Sequence, residues 1–87
     1  MQFKAEVKVT LKEAVLDPQG SAVEASVKAM GFGQVAHVRI GKLIQFFVEA
    51  ESQAEAEGMV EAMAGRLLAN PVMERFTYTV APAAGVR

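Results

Sequence analysis

A short stretch of turn-forming residues converts an alternating segment into a helical one, and it limits the possible folds more than any other feature. Before this stretch, apolar residues occupy every second position, as in a half-buried strand: Phe3, Ala5, Val7, Val9 and Leu11. After it, apolar residues follow the helical period of 3.6: Val23, Val27 and Met30. We therefore predict a strand-to-helix corner over residues 16–23.

Two residue pairs within this corner are candidates for the start of the helix. Asp17 followed by Pro18 fits an N-cap with proline in the first turn, where the missing N–H costs nothing. Ser21 and Glu24 have the spacing of a capping box and offer a second start. We favour Asp17, because the fixed φ of proline suits a first helical turn.

Length and composition exclude several classes of protein. The chain has 87 residues, which is one domain, with no Cys, one His and a net charge of −1. A disulfide framework or thiolate metal site is therefore impossible, and a Ser/His/Asp arrangement would depend entirely on His37. The charges are spread singly, so no basic surface for nucleic acid is expected. With no apolar run long enough to span a membrane, we expect a soluble cytoplasmic protein.

The remaining elements follow from periodicity and from turn residues. We predict strands over residues 3–11, 35–40, 43–50 and 72–80, and helices from 18 to 30 and from Ser52 to the stop at Asn70-Pro71. Residues 1–80 form the domain, and residues 81–87 are expected to be a flexible tail.

The connection between the second and third predicted strands can be placed in two registers. A two-residue turn at Gly41-Lys42 would pair Ile40 with Leu43 and divide the apolar residues between the two faces. A three-residue loop, 41–43, pairs Ile40 with Ile44 and keeps the apolar set together, so we predict the longer loop.

The element order predicts a ferredoxin-like α+β fold, βαββαβ. Right-handed crossovers then give a four-stranded antiparallel sheet of order 4-1-3-2, with both helices on one face. The other face is left open, and three large apolar residues fall on it: Val35, Leu43 and Phe47. These are our candidates for self-association.

The sequence offers no catalytic constellation. His37 is predicted on the open face beside Arg39, and Asp17 has no metal-ligating partner at suitable spacing. The aromatic stretch 41–48 superficially resembles a strand of RNA-recognition motifs. However, base stacking also needs an aromatic residue on the open face of the first strand, where this chain offers Lys4, Glu6 and Lys8, so we do not expect nucleic-acid binding.

Several linked motifs, spread over about residues 3 to 80, carry a family resemblance. They are Leu11-Lys12-Glu13, Leu16-Asp17-Pro18-Gln19-Gly20, Ala22-Val23, Gly31-Phe32, Val38-Arg39-Ile40-Gly41-Lys42, Leu67-Leu68-Ala69-Asn70-Pro71-Val72 and Glu74. Together they resemble the PurS family, the small subunits of the multi-chain formylglycinamidine ribonucleotide synthase of purine biosynthesis.

The resemblance implies a role that composition alone could not reveal. PurS subunits are ferredoxin-like, self-associate, and join a PurL-type synthetase subunit and a PurQ-type glutaminase subunit. The assembly is an ATP- and glutamine-dependent C–N ligase that converts formylglycinamide ribonucleotide to the amidine. ATP and magnesium belong to the large subunit, so neither a cofactor nor a catalytic residue is expected in this chain. Its implied task is to hold the catalytic subunits in register for ammonia transfer, as a dimer or a tetramer.

Two functional hypotheses follow for the loops. As a scaffold, the chain would contact its partners through a charged hairpin tip and neighbouring loop residues: Asp17, Gln19, Arg39, Gly41, Lys42 and Asn70. The alternative is a stand-alone ligand-sensing ferredoxin-like domain that binds an anion at residues 19–21. That stretch lacks the further glycines and the Lys of a phosphate loop, which makes the second hypothesis the weaker one.

Overall fold

A computed structural model describes residues 1–83 of the chain. In chain order, its elements are β1 Gln2–Leu11, α1 Pro18–Ala29, β2 Gly41–Glu49, α2 Gln53–Met63 and β3 Glu74–Pro82, with a π-helical turn, Ala64–Leu68, that continues α2. Of the expected tail, Ala81 and Pro82 belong to β3, and the Ala83 N–H donates to the Gln2 carbonyl. Residues 84–87 of that tail lie outside the described part of the chain.

The sheet is antiparallel, and β1 is its central strand, in the order β2-β1-β3. The register pairs Val7 with Ile44 on one side and with Tyr78 on the other. These apolar residues therefore share one face, as the alternation of the sequence requires. Lys8 pairs with Leu43 and with Thr77 on the opposite face, which is open.

The prediction of a four-stranded sheet of order 4-1-3-2 is wrong, because residues 35–40 form no strand. The N–H groups of Val38 and Ile40 donate to the carboxylates of Glu24 and Asp17 instead of to a neighbouring strand. His37 has a φ of 58°, which an extended ladder does not accommodate. The described residues therefore form a three-stranded sheet rather than the complete ferredoxin-like one.

The predicted hairpin loop at residues 41–43 is also wrong. Gly41, Lys42 and Leu43 lie within β2, where they pair with residues 8–10 of β1. A Cβ at Gly41 would meet the carbonyl oxygen of Val9 on the neighbouring strand. The glycine therefore serves a close approach between strands and not a turn.

The core lies between the covered face of the sheet and α2. The fully buried residues of β1 are Phe3, Ala5, Val7 and Val9, and those facing them from α2 and the π-helical turn are Ala56, Val60 and Ala64. Small side chains on the helix let its backbone approach the sheet closely.

The π-helical turn after α2 changes which leucine is buried. The Ala69 N–H donates to the Ala64 carbonyl, five residues back, and this wider turn leaves Leu67 81% exposed while Leu68 packs against the core.

Helix α1 is not packed over the sheet as the ferredoxin-like prediction required. Within residues 1–83, none of its residues belongs to the buried core cluster, and Gly20 is its only buried residue. Val23 and Met30, predicted to face the core, are exposed. The helix is held by contacts with residues 38–40, and the molecule extends to 50 × 31 × 14 Å.

Candidate functional site

The six residues predicted to contact partner subunits lie at one end of the sheet. Strand β1 finishes at the same end of the sheet at which β2 and β3 begin. We call this end of the sheet, together with residues 12–20, 38–42 and 69–74, the loop end. It includes Asp17, Gln19, Arg39, Gly41, Lys42 and Asn70.

The carboxylate of Asp17 is buried and engaged within the chain. Its Oδ1 accepts from the Gly20 N–H at 2.8 Å and caps α1, and its Oδ2 accepts from the Ile40 N–H at 2.8 Å. These hydrogen bonds, from Ile40 first and Gly20 second, hold the pKa of Asp17 below its ordinary value, with a further contribution from the Arg39 guanidinium. The side chain is only 4% exposed, so it orders the loop end from inside.

Arg39 is largely engaged within the chain as well. Its Nη2 donates to the carbonyl oxygens of Lys12 and Val15, each at 2.9 Å. Its Nε lies 3.9 Å from the Asp17 carboxylate. The guanidinium thereby fixes the connection between β1 and α1, and its side chain remains about one-third exposed.

A second carboxylate, which sequence reasoning did not select, holds α1 against the segment that leads into β2. Glu24 Oε1 accepts from the Val38 N–H at 3.2 Å, and its Oε2 lies 3.1 Å from Lys28 Nζ. These two interactions lower the pKa of Glu24. Glu24 was visible in the sequence only as a capping-box residue.

The close approach of this segment to α1 also requires glycine at the helix start. A Cβ at Gly20 would overlap the Val38 carbonyl oxygen.

Gln19, Gly41 and Lys42 line one cavity of about 250 Å³, together with the inner residue Asp17. The cavity lies between the start of α1 and the start of β2. Gln19 and Lys42 are exposed, whereas Gly41 contributes backbone. Four of the six candidates therefore share one concave surface.

Asn70 belongs to the same end through Glu74, another residue that the loop prediction did not include. Glu74 Oε1 accepts from the Asn70 N–H at 2.7 Å, and Glu74 Oε2 lies 3.9 Å from Lys42 Nζ. The Asn70 Oδ1 accepts from the Val72 N–H, which is an Asx turn. Lys12 Nζ donates to the Pro71 carbonyl and ties this turn to the end of β1.

A neighbouring cavity of about 540 Å³ is lined by the apolar Leu11 and otherwise by charged and polar residues: Thr10, Glu13, His37, Arg39 and Arg75. Arg75 Nη2 lies 3.4 Å from a carboxylate oxygen of Glu13.

Within residues 1–83, no group of three or more His, Asp or Glu side chains could hold a metal ion. In the same part of the chain, no helix is both long and apolar enough to cross a bilayer.

The self-association candidates separate in the structure. Leu43 and Phe47 lie on the open face of β2 and are 55% and 53% exposed. Val35 lies before β2, outside the sheet, and is part-buried. Two of the three candidates therefore form a common surface.

Comparison with known proteins identifies a single family. Residues 4–82 match the family model described as PurS, phosphoribosylformylglycinamidine (FGAM) synthase. The chain is 44% identical over 78 residues to the phosphoribosylformylglycinamidine synthase subunit PurS of Bacillus subtilis, which covers 90% of this chain and 92% of the relative.

Solved structures of similar proteins share the fold. Thermus thermophilus PurS aligns with a TM-score of 0.80 and 41% identity, covering 94% of this chain and 100% of that one. A chain from the structure of PurLQS from Thermotoga maritima aligns with a TM-score of 0.85 and 31% identity, covering 92% and 98%.

Substitution of Asp17 tests whether its carboxylate orders the loop end. In the Asp17→Asn variant, one of the two N–H donors loses its acceptor, so we expect a lower urea midpoint at pH 7. Because the pKa is depressed in the folded protein, the stabilisation is present above the ordinary carboxyl pKa of about 3.9 and is lost as the pH falls further. The difference between the variant and the unsubstituted chain should therefore shrink in acid.

The matched control for this experiment is Glu13→Gln, which removes an 88%-exposed carboxylate from the same connection. Its urea midpoint should stay close to that of the unsubstituted chain both at pH 7 and in acid. Equal midpoints for all three proteins at pH 7 would contradict the role assigned to Asp17.

Proposed function

Because this chain belongs to the PurS family, we propose that it works as the small, non-catalytic subunit of phosphoribosylformylglycinamidine synthase, in purine biosynthesis. The observation that carries this proposal is a family match over residues 4–82, with relatives aligned over nearly their full length. The resemblance seen in the sequence is confirmed by that match.

The partners of the chain are a PurL-type synthetase subunit and a PurQ-type glutaminase subunit, as in the PurLQS structure of Thermotoga maritima. The ligase reaction is a property of this complex. We assign ATP and magnesium to the large subunit and none to this chain, and we place the complex in the cytoplasm. We further propose that the chain self-associates.

The loop end is the surface that we assign to partner contact. Asp17, Arg39 and Glu24 bind backbone groups and so hold the connections 12–20 and 38–42 in fixed positions. Lys12 and Glu74 hold the third connection, 69–74, in the same way. Gln19 and Lys42 are exposed on this supported surface. A rigid surface loses little conformational entropy on docking, which suits a subunit that fixes the relative positions of two others.

The alternative, an anion-sensing domain, finds little support at the start of α1. The Gly20 N–H donates to the Asp17 carboxylate, and the Ser21 N–H donates to the Asp17 carbonyl. The chain's own carboxylate therefore occupies the position that an anionic ligand would take at this helix N-terminus.

Charge reversal at Lys42 tests the assigned surface. Its pair with Glu74 is long and 58% exposed on the lysine side, so Lys42→Glu should leave folding nearly unchanged. We expect the affinity for the synthetase and glutaminase subunits to fall roughly fivefold, which corresponds to the loss of one exposed ion pair of about 1 kcal/mol. Surface-immobilised partner subunits would give this affinity directly.

Lys8→Glu makes the same change of charge on the open face of the sheet, whereas Lys42 pairs with Val9 on the covered face, and this variant should bind as the unsubstituted chain does. If the two variants bind equally well, Lys42 is not part of the docking surface. Arg39 is unsuitable for this test, because its loss would also release the connection that it holds.

Reconstitution tests the function itself. The synthetase and glutaminase subunits should form the amidine from glutamine only when this chain is added, because ammonia must pass between them. With ammonium supplied directly, the synthetase should depend on the chain much less. If glutamine-dependent synthesis proceeds equally without the chain, it is not a coupling subunit.

A further inference from the structure

The cavity of about 540 Å³ beside the loop end carries more positive than negative charge. Two arginines, Arg39 and Arg75, line it together with a single carboxylate, that of Glu13, and we call it the arginine cavity. The smaller cavity at the loop end has the opposite balance, because two carboxylates line it with one lysine. Of these two cavities, the arginine cavity is therefore the one that favours an anionic group.

The two arginines differ in what they already bind. Arg39 Nη2 donates to two backbone carbonyls, and Arg39 Nε lies 3.9 Å from the Asp17 carboxylate. Among residues 1–83, Arg75 has one carboxylate within 4 Å, that of Glu13, and its side chain is 60% exposed. Arg39 therefore supplies a fixed positive charge, whereas Arg75 supplies N–H donors that another molecule can reach.

The Glu13 side chain shows where an anion can lie against Arg75. Its carboxylate oxygen lies 3.4 Å from Arg75 Nη2, which is longer than the roughly 2.7–2.9 Å of a strong charged hydrogen bond. Glu13 is also the more exposed partner, and an exposed pair of this kind adds little stability. Glu13 can therefore leave Arg75 at small cost when another carboxylate arrives.

His37 forms a further side of the arginine cavity. Its φ of 58° is unusual for a residue other than glycine, and backbones held in this region are enriched at binding sites. The chain that follows it is fixed, because the N–H groups of Val38 and Ile40 donate to carboxylates at α1 and its cap. The imidazole therefore extends from an ordered backbone, and it can donate an N–H to an anion.

We propose that the arginine cavity accepts a carboxylate side chain, aspartate or glutamate, of the synthetase or glutaminase subunit. This carboxylate replaces that of Glu13 and pairs with the Arg75 guanidinium through both of its oxygens, with Arg39 and His37 beside it. The inference rests on the proposed function and specifies the chemistry of one contact at the docking surface.

The donors of the cavity suit a carboxylate better than a phosphate group. The fork of one guanidinium binds two oxygens in one plane, which is the geometry of a carboxylate. A phosphate monoester presents three oxygens and a larger charge. Arg39 Nη2 is already used by two backbone carbonyls, so the further donors that a phosphate needs are not at hand.

Binding of variants to the partner subunits tests the contact, because the two cavity residues should act in opposite directions. Arg75→Gln should weaken the affinity about tenfold, since the partner's carboxylate loses its counter-charge. Glu13→Gln should strengthen the affinity about threefold, since the competing carboxylate is removed. Arg66→Gln makes the same change at an exposed arginine outside the cavity and should bind as the unsubstituted chain does. Unchanged affinity of Arg75→Gln, or weaker binding of Glu13→Gln, would overturn the proposal.

Chemical crosslinking tests whether the group that enters the cavity is a carboxylate. A water-soluble carbodiimide joins a lysine amine to a neighbouring carboxylate as an amide. In the complex of the Glu13→Gln/Arg75→Lys variant, the amine at position 75 should be joined to an aspartate or glutamate of a partner subunit, which mass spectrometry of the digested complex locates. The control is Glu13→Gln/Arg66→Lys, in which position 66 should form no such link. Links at neither position, or equally at both, would contradict the proposal.

Reconstitution with the unsubstituted chain separates this contact from the proposed function. If the unsubstituted chain does not support glutamine-dependent synthesis, the proposed function fails. If it does, and Arg75→Gln binds the partner subunits equally well, the arginine cavity is not a docking site although the function holds. Inorganic phosphate added to the isolated chain is the remaining probe. If phosphate shifts the Arg75 side-chain NMR signal while partner affinity is independent of Arg75, the cavity serves a free anion and the proposal is wrong.

Discussion

The two hydrogen bonds accepted by the Asp17 carboxylate, from the N–H groups of Gly20 and Ile40, determine the arrangement of this end of the molecule. One bond caps α1 and the other holds the chain where it enters β2, 23 residues away in sequence. Buried N–H groups need partners, and here a single carboxylate serves two elements. Arg39 and Glu24 complete the arrangement by binding backbone groups on either side.

Sequence patterns predicted the strand and the helix starts that depend on interactions between residues close in sequence. The alternation over residues 3–11 predicted β1 because one of its faces is buried, and Asp17 and Ser52 predicted the starts of both helices because each caps its own backbone. The same alternation over residues 35–40 led to the wrong prediction of a strand. Alternation also arises where an extended segment lies against a helix, and the carboxylates that bind its N–H groups lie 14 and 23 residues away.

The candidate site was predicted as a set of loop residues, and the structure places all six at one end of the sheet. What the sequence could not indicate was the direction of each side chain. Asp17 points inward and supports the backbone, whereas Lys42 lies at the surface beside Glu74. Glu74 was noted only within the family resemblance, because its link to Asn70 depends on how the turn before β3 folds. The wide turn after α2 was equally hidden, and it leaves Leu67 exposed while Leu68 packs against the core.

The central claim is that this chain acts by binding, with the loop end presented to its partner subunits. Hydrogen–deuterium exchange of the chain, alone and in the complex with the synthetase and glutaminase subunits, tests this claim most directly. The account predicts additional protection at residues 12–20, 38–42 and 69–74 in the complex, and unchanged exchange on the exposed side of α2. Protection confined to α2, or no change at the loop end, would contradict it.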